Sequence, residues 1–589
     1  MENKEQEKLQ KQDIMRHSMS HVFGKALCSL YKGTKLTIGP AIEDGFYYDF
    51  DLNESITPQH MAQITAKMKE IIEANEDFKK EVVTRKRALE LFKDNPYKTE
   101  LIKDLPENEE VSIYYLGDDW FDLCRGPHVE NTKFLRNFAY KFNKVSGAYW
   151  RGDSKNKMLQ RAYFYGFDDK QKLKEHLNML AEAEKRDNRK LGKELGLFTF
   201  MPEYAVGMPF FLEKGLIVKN QLADYWKDLH KRQGYKEIET PIILNRKLWE
   251  VSGHWDNYKA GMYSLSIDDE DYAIKPMSCP GALLLYKEKI HSYKEFPLKL
   301  AELGRVHRHE MSGAIGGLMR VRSFVQDDAH IFLTERQVEA EVISIIENLV
   351  NPIYKTFGLD FAKIEISTMP ERHIGTKADW DIAEQALKLA LDKLKIKYII
   401  NEGDGAFYGP KIDFHVKDSI GRTWQCGTIQ YDMNLPGRFG LKYADKDGVF
   451  QVPIMLHRAV YGSLERFMGI LIEHFAGEFP FWLSPVQVGI VPVSEQNNEY
   501  AQKIYEQLAA GKLRCEADLS DNGMGKKVNE YRVNKVPYVL ILGDKEQADK
   551  TVSVKIRGGK QINDIKLKDF IKILKDLNDS KCLKLAEEF

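Results

Sequence analysis

Long apolar runs are the first thing missing. No stretch of the 589 residues approaches the ~18 consecutive apolar positions a bilayer-spanning helix needs. That excludes helical membrane spans and argues against a membrane partner. The start, MENKEQEKLQKQ, has no apolar h-region and mixes acidic with basic residues, so it reads as neither a secretory signal nor a transit peptide. Excess charge is missing too: 87 basic residues face 88 acidic ones. No global field advertises a polyanionic partner, although a balanced sum can hide a basic patch. Paired cysteine spacing is absent. Cys28, Cys124, Cys279, Cys426, Cys515 and Cys582 are scattered, so no disulfide framework is expected. A reducing cytoplasm fits, with thiols free to act as ligands or reactive groups. Internal repeats and low-complexity segments are missing as well.

What is present is an ordinary globular composition in a chain too long for one core, since single cores rarely grow past ~250–300 residues. Four regions are expected: 1–166, 167–198, 199–483 and 484–589. The first alternates short helices and strands in an α+β pattern. Within it, MAQITAKMKEIIEAN puts Met61, Ile64, Met68, Ile71 and Ile72 on one helical stripe. KQKLKEHLNMLAEAEKRDNRKLGKEL, from Lys170, is charged and helix-periodic, and reads as one long helix joining domains. The third region sets helical patterns at 218–233, 335–356, 381–394 and 458–476 between strand-like runs, so a sheet with helices packed on it is expected. In the fourth, strands 487–493, 513–517 and 537–542 alternate with helices 497–509 and 525–533, which suggests a small α/β domain with a mostly parallel sheet.

The most informative segment is RVHRHEMSGAIGGLMRVRSFVQDDAHIF, residues 305–332. Four arginines around a Gly-Gly pair suit a hairpin that grips a polyphosphate, since guanidinium forks bind oxygens and glycine lets the backbone approach closely. A surface hairpin with solvated arginines would read the same way. The polar run Gln326-Asp327-Asp328-Ala329-His330 closes an otherwise apolar strand, where polar groups are costly without partners. His330, Cys279 in KPMSCPG and His457 in PIMLHRAV would together make three N/S ligands, the open set that leaves Zn²⁺ a position for substrate. A lone histidine at the end of an apolar strand is more often a satisfied core residue. In the N-terminal region, RHSMSHVFGKAL places His17 and His21 at i and i+4, and DLCRGPHVEN holds Cys124 and His128 four apart. These four could form a structural zinc site. A zincin is disfavoured, because Ser18 stands where HExxH needs Glu.

GLMRVRSFVQDDAHIF and GSLERF resemble motifs 2 and 3 of class II aminoacyl-tRNA synthetases. With SGHWDNYK, KPMSCPG and GAFYGPKIDF, nearly the whole chain resembles the threonyl-tRNA synthetase family. The resemblance implies an α+β multidomain fold: an editing domain, a catalytic antiparallel sheet flanked by helices, and a C-terminal α/β anticodon-binding domain. It implies threonine activation with ATP and Mg²⁺, then transfer to tRNA(Thr). By resemblance Arg308 contacts the α-phosphate, Arg320 the γ-phosphate and Glu310 the adenine amino group, while Arg466 is the motif 3 arginine. One Zn²⁺ per subunit sits on Cys279, His330 and His457 and takes the threonine amino and hydroxyl groups. Asp328 receives the amino group beside Gln326, and Tyr408, Lys411 and Gln425 line the site. Such a site rejects valine, which lacks the hydroxyl, but serine lacks only a methyl, worth roughly 1–3 kcal/mol. A second, hydrolytic site is therefore expected. The resemblance places it at His17, His21, Cys124 and His128, with Lys98 and Asp122. It also implies a homodimer through motif 1, from Gly215 to Pro241, and an anticodon site near Glu546, Lys555, Asp521 and Asn522.

Several positions depart from the family pattern. Lys555 and Asp521 stand where Arg and Asn are usual, and lysine lacks the bidentate fork. His309, Met311 and Ala282 replace Asn, Pro and His. Only about 16 residues precede His17, far fewer than a domain needs, so a form lacking the N-terminal ubiquitin-like domain is expected. The alternative reading is an inactive paralogue that binds tRNA or regulates. The joint presence of Arg308, Glu310, Arg320, Arg466 and the three zinc positions argues against it.

Overall fold

The computed structural model describes residues 2–107, 109–153 and 155–588. The chain forms two compact units, Met1–Ala181 and Glu182–Phe589. The first is built on a five-stranded antiparallel sheet whose long members are Gly45–Asp51, Met158–Phe167 and Ala139–Tyr149. Helix Glu2–Leu30 buries Met19, Val22, Phe23, Ala26 and Leu27 against it, a spacing that returns to one helical face. The Pro58–Glu73 helix, capped by Thr57, buries Ile64, Met68, Ile71 and Ile72, while Met61 is only half-buried. A smaller sheet pairs Phe78–Val83, Val111–Leu116 and Trp120–Leu123.

The long joining helix is instead two helices. Lys170–Lys185 ends, and Asp187 caps Asn188–Glu194 by accepting from the Arg189 amide. An aspartate competes for backbone N–H groups and starts a helix better than it continues one. The units part inside the first helix, within the expected 167–198 linker. His176 in its first half packs on Tyr165 and Phe167. Arg186, just beyond its end, donates to the Ser419 hydroxyl and the His474 carbonyl.

In the second unit an eight-stranded sheet runs, from edge to edge, 236–237, 298–307, 323–333, 454–459, 423–432, 411–417, 360–367 and 399–401. The inner pairings are antiparallel and the two edge strands pair in parallel. One face packs on Glu213–Arg232, Lys377–Lys393 and Leu464–His474, with Leu222, Leu387, Leu464, Phe467 and Leu471 inside a single apolar core. The last helix starts at Leu464, later than periodicity suggests. Arg458 and Ala459 finish a strand, and 460–463 form the turn. The stretch 335–356 is interrupted by a π-helical segment at Ile346–Val350. The C-terminal sheet is mixed: Val488–Pro492 pairs in parallel with Cys515–Ala517 and Tyr538–Leu542, but Thr551–Ile556 and Gln561–Lys566 add antiparallel strands. A short turn at Gly558-Gly559 returns the chain beside itself, which only an antiparallel pair allows.

Asp327 binds the sheet to the last helix. Its fully buried carboxylate accepts the amides of Val460 (2.8 Å), Tyr461 (3.0 Å) and Gly462 (2.8 Å). The turn it closes needs glycine at 462, where φ is +78° and a Cβ would lie 2.6 Å from the Cys426 carbonyl oxygen. Asp327→Ala leaves three buried donors without an acceptor and should cost ~3–5 kcal/mol in urea unfolding of the second unit. A loss under about 1 kcal/mol, the worth of a single ordinary hydrogen bond, would show that the turn holds without it.

Candidate functional site

Strand alternation places the site. On Ser323–Leu333, Val325, Ala329, Ile331 and Leu333 join the apolar core. Gln326, Asp328 and His330 therefore share the other face. His330 lies directly opposite His457, which in turn lies opposite Gln430. The two imidazole rings are 5.1 Å apart. Cys279, the first residue of helix Cys279–Lys287, comes to the same point. Its Sγ and one nitrogen of each histidine all lie within 4.8 Å of one another, and all three residues are buried. A cavity of about 380 Å³ opens here, lined among others by Cys279, Arg308, Gln326, Asp328, Tyr408 and His457.

Burial sets the charges. It holds His330 well below the ordinary histidine range, helped by His457, so its imidazole is neutral and its buried Nε2 has no hydrogen-bond partner. Burial also pushes the Cys279 thiol well up, reinforced by Asp328 and Asp432. It raises Asp328 to about 6 against the pull of His457 and Arg458. Asp432, fully buried, lies 2.8 Å from His457 Nε2 and leaves Nδ1 toward the group.

Lys411 lines the cavity, bridging Asp404 (3.2 Å) and Asp413 (2.8 Å). The Tyr408 hydroxyl donates to Gln430 Oε1 at 2.5 Å. Gln425 does not line the cavity. It is exposed beside His415, where the strand pairing shifts register, and Thr428 and Gln430 of the same strand face the site instead. Sequence reasoning also missed Asn257, Tyr258, Met277, Phe407 and Asp432. An aspartate in the apolar run TIQYDM was the available signal for the last.

The arginine hairpin is a ten-pair antiparallel ladder closed by a long loop, 308–322. Arg308 lines the cavity, its guanidinium over Phe324 and its Nε donating to the Pro276 carbonyl. Glu310 and Arg320 pair with each other at 2.9 Å. Arg322 staples the loop by two bonds to the Glu310 carbonyl. Arg466, in the first turn of Leu464–His474, donates to the Met319 carbonyl (3.2 Å) and stacks near Trp424. Glu310, Arg320 and Arg466 lie along this loop rather than in the cavity wall. His309 sits edge-on to Tyr263, Met311 is exposed, and Ala282 is buried.

In the N-terminal unit His17, His21, Cys124 and His128 also converge, with their ligand atoms within 4.8 Å. Cys124 Sγ is 3.3 Å from His17 Nε2 and from His128 Nε2. The Ser18 hydroxyl donates to the Ile14 carbonyl, so it accepts from Val129 N–H and from His128 Nδ1 (3.2 Å). That puts the His128 proton on Nδ1 and its lone pair toward the thiol. Burial holds His17 and His21 below their ordinary values and takes His128 down to about 2, while raising Cys124 to about 11. Lys98 and Asp122 form a buried pair at 2.6 Å, and the Tyr48 hydroxyl donates to the same carboxylate.

In the C-terminal domain both Glu546 oxygens serve the fold, accepting from Gly543 N–H (2.9 Å) and the Ser553 hydroxyl (2.6 Å). Lys555 is half-buried, and Asp521 and Asn522 are exposed. Lys526 and Arg532 are exposed, but Lys527 is buried and offers no charge to a surface ligand.

Comparison with known proteins agrees with this layout. Residues 263–475 match the class II tRNA synthetase core domain (G, H, P, S and T), 487–577 an anticodon binding domain, and 111–163 the second additional domain of threonyl and alanyl tRNA synthetases. Threonine–tRNA ligase of Clostridioides difficile is 53% identical over 95% of this chain and 87% of its own length. That of Fusobacterium nucleatum is 53% identical over 93% and 88%. Among solved structures, the RNA binding domain of threonyl-tRNA synthetase from Cryptosporidium parvum aligns with a TM-score of 0.65 at 38% identity, covering 68% of this chain and all of that one. ThrRS-1 from Aeropyrum pernix, described as a putative threonyl-tRNA synthetase, aligns at 0.58 and 30%, covering 67% and 95%. The chain belongs to the threonine–tRNA ligase family.

Proposed function

We propose that the chain activates L-threonine with ATP to threonyl-adenylate, transfers it to the 3′ end of tRNA(Thr), and hydrolyses mischarged Ser-tRNA in its N-terminal unit. The observation that carries this reading is the cross-strand pair His330–His457 with Cys279 beside it, in a cavity shared with Arg308 and Asp328. The trio fits one Zn²⁺: His330 Nε2 is buried without a hydrogen-bond partner, Asp432 orients His457 from behind, and three N/S donors leave an open position. When bound, the metal supplies a Lewis acid for the amino and hydroxyl groups of threonine. Asp328 takes the threonine ammonium, with Gln326 beside it. Arg308 holds the α-phosphate where negative charge develops during attack by the threonine carboxylate, so positioning and electrostatics carry the rate. ATP, with its Mg²⁺, parts the Glu310–Arg320 pair: the γ-phosphate takes Arg320 and the adenine amino group takes Glu310. Arg466 closes the other end. An inactive paralogue would have no reason to keep this whole set.

In the N-terminal unit, imidazoles held neutral by burial suit activation of water. The C-terminal domain binds the anticodon, with Lys555, Asp521 and Asn522 the available contacts and Glu546 shaping the helix beneath. Motif 1 forms a homodimer interface, supported by exposed Leu216 within it and by exposed Leu212, Ile242 and Ile243 just beyond its ends. The enzyme works in the cytoplasm, where its six free cysteines stay reduced.

ATP–pyrophosphate exchange should proceed with threonine and serine and fall by several orders of magnitude with valine. Metal analysis should find about one zinc per chain, lost in Cys279→Ala together with threonine activation. A metal-free, fully active enzyme sinks the scheme. Cys124→Ala should let Ser-tRNA accumulate while threonine activation stays near normal. A second zinc per chain that disappears in this variant would assign the cluster a structural metal instead. The same cluster sets a pH dependence. Its histidines have folded values depressed below the unfolded ~6.5, so their contribution is complete above pH 6.5 and shrinks as pH falls and the unfolded state takes up protons. Amide exchange in Glu2–Leu30, corrected for intrinsic rate, should therefore rise between pH 7 and 5. An unchanged protection factor would contradict the burial of these rings.

A further inference from the structure

A buried asparagine ties the start of the catalytic unit to the ATP-binding loop. Asn188, the first residue of helix Asn188–Glu194, is 4% exposed. Its backbone N–H and its Nδ2 both donate to Glu473 Oε1, at 3.0 and 2.6 Å. Its Oδ1 accepts the Leu318 amide at 3.0 Å. The amide has only one orientation here, because a carboxylate only accepts and a backbone N–H only donates. Glu473 lies near the end of the Leu464–His474 helix and is held on its other oxygen by Arg422 at 2.7 Å.

Leu318 belongs to the turn Gly316-Gly317-Leu318-Met319-Arg320. Gly317 has φ +50°, and a Cβ there would sit 2.5 Å from Asn188 Oδ1, so the turn is moulded around this side chain. Leu318 is fully buried and meets the motif 3 helix at Gly469, where a Cβ would be 3.1 Å from its own. The next residue, Met319, gives its carbonyl to Arg466. The turn is thus held at two consecutive residues, Leu318 through Asn188 and Met319 through Arg466. Arg320 projects immediately beyond them.

We propose that Asn188 is a positioning residue for the nucleotide: through the Leu318 amide it holds the 316–320 turn so that Arg320 meets the triphosphate. This rests on the reading of that turn as the ATP site. The bland alternative is that Asn188 only fastens its own helix to Glu473. The two differ in what they predict for the loop.

The test uses the full-length enzyme with Asn188→Ala, Glu473→Gln and Arg320→Ala in ATP–pyrophosphate exchange, with hydrogen exchange of the peptide spanning 316–320. Asn188→Ala removes one buried acceptor from the Leu318 amide, so KM for ATP should rise about 10-fold, with KM for threonine unchanged. The 316–320 amides should lose protection, and saturating ATP should restore it. Glu473→Gln keeps the Leu318 bond and should move KM for ATP much less. An unchanged KM for threonine in the same preparations reports that the second unit is folded. If Asn188→Ala raises exchange only in 188–194 and 470–475, with KM for ATP unaltered while Arg320→Ala raises it, the inference falls and Asn188 is a helix anchor. If Arg320→Ala itself leaves KM for ATP unchanged, the ATP assignment of the turn falls first, and the inference with it.

Discussion

The catalytic unit depends on a carboxylate that lies outside the cavity lining. Asp327 is fully buried and gathers three successive amides, Val460 to Gly462, at the point where a strand turns into the Leu464–His474 helix. A carboxylate withdrawn from water is tolerated only when hydrogen bonds replace its hydration. Here they come from one turn, so the turn and the strand cannot move independently. His457 precedes that turn and Arg466 follows it, while Asp328 and His330 follow Asp327. One buried group therefore sets the separation between the Cys279–His330–His457 cluster and Arg466.

Two adjacent aspartates divide these roles by strand parity alone. Asp327 faces the helices and Asp328 faces the cavity, because neighbouring side chains on a strand point to opposite faces. The even-numbered set Gln326, Asp328 and His330 makes one wall of the site, and the odd-numbered set Val325, Ala329, Ile331 and Leu333 makes core. Recognition and stability thus alternate residue by residue along one strand. A one-residue slip would exchange them entirely. A buried ion pair, Lys219–Glu465 at 2.5 Å, ties the same helix to Glu213–Arg232, while the other Glu465 oxygen accepts the Val325 amide.

The N-terminal cluster follows a related logic on unrelated elements. Ser18 sits where a metallohydrolase would need glutamate. It is buried, and its hydroxyl fixes the tautomer of His128. The Lys98–Asp122 pair survives burial because the Tyr48 hydroxyl and the Leu123 amide share the carboxylate. Both sites are polar groups concentrated on an apolar scaffold and brought together from positions far apart in sequence.

The sequence by itself determined the family, the three kinds of domain it brings and the stripe of the Pro58–Glu73 helix. It did so because long motifs and helical periodicity are local signals. It read one helix where Asp187 makes two, and a mostly parallel C-terminal sheet where late strands return antiparallel. Strand direction and helix ends are settled by what the segment packs against. Only the tertiary structure decided that Asp327 and Asp328 serve different faces, that Gln430 lines the cavity while Gln425 is exposed, that Glu546 caps its own helix, and that Asn188 reaches the 316–320 turn. The partners of Glu546 are close in sequence, at Gly543 and Ser553, but those of Asp327 and Asn188 lie more than a hundred residues away along the chain, where no local pattern can reveal them.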